Sequence, residues 1–176
     1  MLGTQFRSLF GTAAVLTAGT ALGADSTCKY LAGANAKIYS IPAHLYQTDS
    51  GAGGKTQTSE LIYFNNKTYL ETAGKWRVSP MSPAKMAEIR KETEDQEIQT
   101  MTCRVVRDEV VNGEVATLYS GHQQTPDVKR DSQIWISKSR GVPLKLEMDM
   151  DGGGKGKNHR SIRYEYANVR APAGVQ

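Results

Sequence analysis

The sequence predicts a mainly β, α+β fold: a single curved antiparallel sheet, or an incompletely closed β-barrel, with one main helix packed at its mouth. Three observations carry that expectation. Strand-like runs with period-two alternation recur along the chain, most clearly from Ser132 to Met150. The turns between them are tight, as at Asn65-Asn66-Lys67 and Asn112-Gly113, and tight turns join antiparallel neighbours because parallel ones need long crossovers. One long stretch, Ala84 to about Glu97, runs without a helix breaker behind Ser82-Pro83, an N-cap with proline at the first helical position.

The chain opens with a single basic residue, Arg7, followed by an uncharged apolar and small-residue run from Leu9 to Leu22. That run is too short to span a bilayer, which needs roughly 20 residues, and it reads as a signal peptide over residues 1–24. Cleavage is expected after Ala24, with Gly23 as the alternative. Cys28 lies beyond the junction without a lipobox before it, so no lipid anchor is expected. The formal charge of the whole chain is +4, and its Lys and Arg are interleaved with Glu and Asp. Such a distribution carries no electrostatic footprint for nucleic acid. Residues 25–172 read as one β domain, with 173–176 a frayed tail and no membrane-spanning segment in the mature chain. Export to a periplasmic or extracellular compartment is oxidising, so the two cysteines, Cys28 and Cys103, are expected to pair.

Asp25 to Asn35 can form a short helix capped by Ser26 or Thr27. After Pro42 a first strand is expected over Ala43 to Thr48, and the glycine-rich Asp49 to Gly54 breaks it. Gln57 to Phe64, Thr68 to Glu71 and Lys75 to Val78 follow as a meander, with Trp76 and Val78 sharing a face. The main helix has a narrow apolar stripe of Met86, Ala87, Ile89 and Ile98, so most of it should be wet. Thr102 to Val111 and Glu114 to Gly121 flank Asn112-Gly113, which favours a type I′ turn. A loop is expected over Gln123 to Lys129. In the next hairpin Leu144, Leu146, Met148 and Met150 alternate with Lys145, Glu147 and Asp149, and Pro143 stands where a strand can begin. After a loop at Gly152 to Lys157 the last strand runs Arg160 to Tyr166, with Ile162, Tyr164 and Tyr166 on one side.

Few motifs carry chemistry. Asp49 to Thr56 ends like a phosphate-binding loop, but Asp49 replaces its first glycine and a strand, not a helix, follows. Glu147 to Gly152 begins like a calcium loop, yet Asn158 stands where the bidentate Glu belongs and strands flank it. His44, His122 and His159 have no metal-ligand spacing, and no nucleophile–base arrangement is visible. No metal, no cofactor and no catalysis are therefore expected. What remains is apolar and aromatic material that forms either a ligand groove or a plain closed core.

In its order of features the chain resembles the LolA and LolB superfamily of bacterial envelope proteins. The resemblance lies in the meander ending at Gly74-Lys75-Trp76, the helix after Ser82, and the strand pair around Val111-Asn112-Gly113. It continues through Ile134-Trp135-Ile136, Gly141-Val142-Pro143-Leu144-Lys145 and Tyr164 to Val169. It implies a curved, incompletely closed antiparallel barrel that binds acyl chains of lipoproteins or other lipids. The chain departs from the family in its sparse helix, in lacking a placeable arginine latch for a helical lid, and in its cysteine pair. On this reading a lipid or lipoprotein is the expected partner. Leu144, Leu146, Met148, Met150, Ile162, Tyr164, Trp76 and Met86 are the expected ligand-binding residues. The alternative is a non-catalytic envelope interaction or sensor domain with a closed core.

Overall fold

The computed structural model describes residues 26–51, 53–152 and 156–175, so the expected signal segment lies outside the described residues. Helix α1 spans Ser26–Ala36 and passes into a short 3₁₀ turn, Lys37–Tyr39. Strands β1 (Ala43–Ser50), β2 (Thr56–Phe64), β3 (Lys67–Thr72) and β4 (Lys75–Val78) precede helix α2 (Pro83–Gln99). Then come β5 (Met101–Val111), β6 (Glu114–Gln124), β7 (Lys129–Ser137), β8 (Pro143–Asp151) and β9 (Lys157–Glu165). All nine strands form one antiparallel sheet in the order β4-β3-β2-β1-β9-β8-β7-β6-β5. The outer edges of β4 and β5 do not meet, so the sheet stays open rather than closing into a barrel.

Local chemistry explains the connections. Asn65 and Asn66 have φ of 49° and 55°, and Asn112 and Gly113 have 52° and 81°. Two successive positive φ values suit the right-handed twist of a hairpin, and Asn and Gly tolerate them. At the start of α2 the Lys85 N–H donates to Ser82 Oγ at 3.2 Å, and Pro83 occupies the first turn, where no N–H is needed. The topology makes α2 a crossover: two meanders, β1–β4 and β5–β9, meet at the β1/β9 pair, and α2 carries the chain from one sheet edge to the other.

The helices all pack on one face. Cys28, Leu31 and Ala34 of α1 and Ile98 of α2 cover Cys103, Ile134 and Ile136, while Ile38 lies with Ala43, Leu45, Tyr63, Ile162 and Tyr164. Cys28 and Cys103 form the expected disulfide, with Cα atoms 5.2 Å apart, which ties α1 to β5 and fits an oxidising compartment. Thus α1 is a second anchored helix beside the main one. A third cluster, Ala116, Leu118, Trp135 and Leu144, lies on the opposite face, partly under Val111 and Tyr166.

The structure differs from the sequence reading most consequentially at three places. Strand β7 starts at Lys129 where a loop is expected, because Lys129, Arg130 and Asp131 pair with Asp151, Met150 and Asp149. Strand β9 begins at Lys157 and stops at Glu165, and Tyr166, expected to end it, instead donates through its hydroxyl to the Pro143 carbonyl at 2.6 Å. The pairing of β7 with β8 is irregular at Trp135/Ile136, where the partners jump from Lys145 to Pro143. Leu144 falls in that jump, and the extra residue turns it to the far face with Trp135, away from Leu146.

Candidate functional site

Residues directly opposite each other in an antiparallel pair project from the same face, so the register resolves the helix face into rows. One row runs Tyr119, Ile134, Leu146, Ile162 and Gln47. The next runs Cys103, Gly121, Ser132, Met148, Arg160 and Asp49. A third runs Met101, Gln123, Arg130, Met150 and Asn158. The helix side of this third row is fixed by Gln123, whose Nε2 donates to Thr100 Oγ1 at 2.7 Å just beyond α2. Gly121 keeps the second row closely packed: a Cβ there would lie 2.7 Å from Ser132 Oγ and 3.3 Å from Met101 Cε.

The eight residues expected to bind ligand separate into three groups. Ile162 and Tyr164 are buried in one core cluster, against which Leu146 and Met86 pack half-buried, and the Thr68 hydroxyl donates to Met86 Sδ at 3.9 Å. Burial raises the pKa of the Tyr164 hydroxyl, as it does that of neighbouring Tyr63. Leu144 and Trp76 lie elsewhere. Leu144 is sealed into the far-face cluster, and Trp76 is opposite Glu71 with its ring edge-on to His44, 6.1 Å between centroids. Met148 and Met150 form the third group: both are half-buried and neither joins any of the three packed clusters. They continue along β8 the face that carries Leu146.

Two arginines flank these methionines. Arg160 Nε donates to Asp49 Oδ1 at 2.6 Å, and Gln47 Nε2 donates to Asp49 Oδ2 at 2.5 Å. Arg130 has no such partner: its Nε is shut off from solvent without a hydrogen bond to any described residue. The sequence reading passed over Arg130 because it fell between the loop expected over Gln123 to Lys129 and the strand expected from Ser132, and only the extra length of β7 brings it opposite Met150.

Beyond the Leu118–Leu144 cluster the opposite face is polar and carries two cavities, of about 610 and 420 Å³, that share Glu147. Register, not sequence spacing, assembles the larger one: His122 faces Asp131, Asp131 faces Asp149, and Asp149 faces His159. His122 Nδ1 lies 2.7 Å from Asp131. His159 sits between two carboxylates, with Nδ1 2.8 Å from Asp149 and Nε2 2.9 Å from Glu147. Contacts at both ring nitrogens suit the doubly protonated ring, and the bond to Asp149 raises the imidazole pKa above its ordinary value. Glu147 and Asp149, two of the three carboxylates of the calcium-like motif, are thus engaged by a histidine. In the smaller cavity Arg163 lies 3.9 Å from the Tyr46 ring, and nearby Lys145 lies 4.8 Å from the Trp135 ring. Its lining joins Val111 and Asn112 to Tyr46 and Thr48. In a flat sheet β5 and β1 would stand five strand spacings, roughly 24 Å, apart, so the sheet must be strongly curved.

No family model matches the chain, and no curated protein matches it in sequence. It is similar to several solved structures. The lipoprotein LppX of Mycobacterium tuberculosis gives a TM-score of 0.45 at 8% identity, covering 84% of this chain and 100% of that one. The MucA/MucB complex of Pseudomonas aeruginosa gives 0.48 at 12% identity, covering 86% and 63%. A LolA superfamily protein of Nitrosomonas europaea gives 0.31 at 9% identity, covering 82% and 92%. The LolA-like group that the sequence resembles is therefore among the structures to which this fold is similar. At these identities and scores the likeness carries nothing about function, which has to be read from this chain's own side chains.

Proposed function

We propose that the protein is an exported, non-catalytic binding protein that holds an acyl chain, of a lipid or a lipidated protein, on the helix face of its sheet. The site is the end of that face where Met148 and Met150 lie. The observation that carries this reading is that these two flexible apolar side chains continue the rows of Leu146 and Ile162, yet take no part in the packed clusters. Methionine adapts to irregular apolar ligands, and an apolar surface left outside the core gains by burying an alkyl chain, about 0.8 kcal/mol per methylene. The uncharged run from Leu9 to Leu22 and the disulfide support export. Among the described residues no helix is long and apolar enough to cross a membrane.

Titration of the mature chain with a fluorescent long-chain fatty acid tests the reading. Saturable binding is expected, and Met148→Glu should abolish it while leaving the far-UV circular dichroism spectrum unchanged. No binding, together with no co-purifying lipid in native mass spectra of protein from an envelope fraction, would overturn it.

One observation favours a second reading, an interaction module with a closed core. Val105, Val106, Val110 and Val115 are exposed along the β5–β6 hairpin at the free edge of the sheet, a surface suited to a protein partner. Loss of partner binding in Val110→Lys, with fatty-acid binding absent in the wild type, would support this alternative.

A further inference from the structure

We infer that Arg130 is the head-group site of this face, so that the ligand is an acyl amphiphile with an anionic head rather than a neutral lipid. The inference rests on the acyl-binding reading above and names the class of ligand. Arg130 lies opposite Met150 on β8 and opposite Gln123 on β6, in the row next to Met148. Its Nε is inaccessible to solvent and makes no hydrogen bond to a described residue. Leaving a buried donor of a charged group unpaired is costly, and a guanidinium presents its donors in a planar fork matched to a carboxylate or phosphate.

The surroundings sharpen the charge argument. On the neighbouring row Arg160 is neutralised by Asp49. The nearby acids of β7 and β8 occupy alternate positions and face away: Asp131, Glu147 and Asp149 line the cavity on the opposite side of the sheet. At this end of the helix face the rows therefore hold Arg130 and Arg160 against Asp49 alone, an excess of one positive charge beside two half-buried methionines. An alkyl chain laid along Met148 and Met150 with its head at the accessible part of the half-exposed Arg130 guanidinium would cover the apolar surface and neutralise the excess charge together.

The test compares a long-chain fluorescent fatty acid with its methyl ester, at mildly alkaline pH so that the acid is ionised, on wild type, Arg130→Gln and Arg130→Lys. Wild type is expected to bind the acid about tenfold more tightly than the ester, the size of one charge-assisted hydrogen bond. Arg130→Gln should bring the two to parity with ester affinity unchanged, and Arg130→Lys should keep part of the preference. Thermal melts establish that each variant is folded, and Arg130→Lys serves if Arg130→Gln is not. Equal binding of acid and ester by wild type, or a preference that survives in Arg130→Gln, would overturn the assignment of Arg130 while leaving acyl binding intact. Binding of neither probe would overturn both. Displacement of the fatty acid by inorganic phosphate at comparable concentration would overturn the lipid assignment in favour of a free anion.

Discussion

Removing the disulfide should separate the contribution of the cross-link from that of the packing around it. Cys28 and Cys103 are 75 residues apart in sequence, and both are nearly inaccessible, at 2% and 4% exposure, among Leu31, Ala34, Ile98, Ile134 and Ile136. Closing a loop of that length in the unfolded chain is worth about 4.5 kcal/mol through lost chain entropy. In Cys28→Ala/Cys103→Ala the same side of the core stays apolar, so most of the loss is the cross-link's. For a protein of this size each kcal/mol moves the melting temperature by about 2–4 °C, giving a drop of roughly 10–15 °C in thermal melts followed by circular dichroism. Because the bond ties α1 to β5, the fall should be accompanied by faster hydrogen exchange in α1 than in the β7–β8 strands. A melting temperature within about 3 °C of wild type would refute the reasoning. So would rapid maleimide labelling of the wild type under native, non-reducing conditions.

The clusters make a paired prediction: Leu144→Ala should cost about 2–4 kcal/mol in urea unfolding, because Leu144 is sealed against Leu118 and Trp135, whereas Met148→Ala should cost about 1 kcal/mol or less. Ser82→Ala removes the N-cap acceptor of α2 and should cost about 1 kcal/mol. Hydrogen bonds from Arg140, helped by Ser137 and Ser139, hold the Glu114 carboxyl at about 2. Its contribution is therefore present above the ordinary pKa of about 4.5 and fades as pH falls toward 2, so Glu114→Gln should flatten the acid limb of stability in that window. His159 has the opposite sign. Its raised pKa stabilises the fold below the ordinary 6.5 and the effect disappears as pH rises through the raised value, which NMR titration of the ring and its loss of coupling in Asp149→Asn would show.

Most of the architecture was readable from local chemistry because each hairpin carries its own signal. Asn112-Gly113 set the β5–β6 turn, Ser82-Pro83 set the start of α2, and Lys75 to Val78 has the bounds expected of it. The candidate site was only half readable. Alternation placed Leu146, Met148 and Met150 together, since a period of two survives wherever the strand is regular. It failed at Leu144, where the irregular pairing at Trp135/Ile136 turns one residue over, and a break in register leaves no mark on composition. Trp76 was placed by its apolar character, but a row of Glu71, Glu60 and Tyr46 shares its face, so parity across neighbouring strands would have assigned it to the polar side. The pairing of His122 with Asp131 and of His159 with Asp149 arises from strand register over separations of 9 and 10 residues, which ligand-spacing rules do not consider.

Photo-crosslinking with a diazirine-bearing long-chain fatty acid, followed by peptide mapping, puts the central claim to its most direct test. A carbene generated along the chain labels whatever side chains line it. Labels concentrated on the β8 peptide at Met148 and Met150, and competed away by unlabelled fatty acid, are the predicted result. Labels confined to the β5–β6 edge around Val110 and Val115, or no competable label at all, would contradict it.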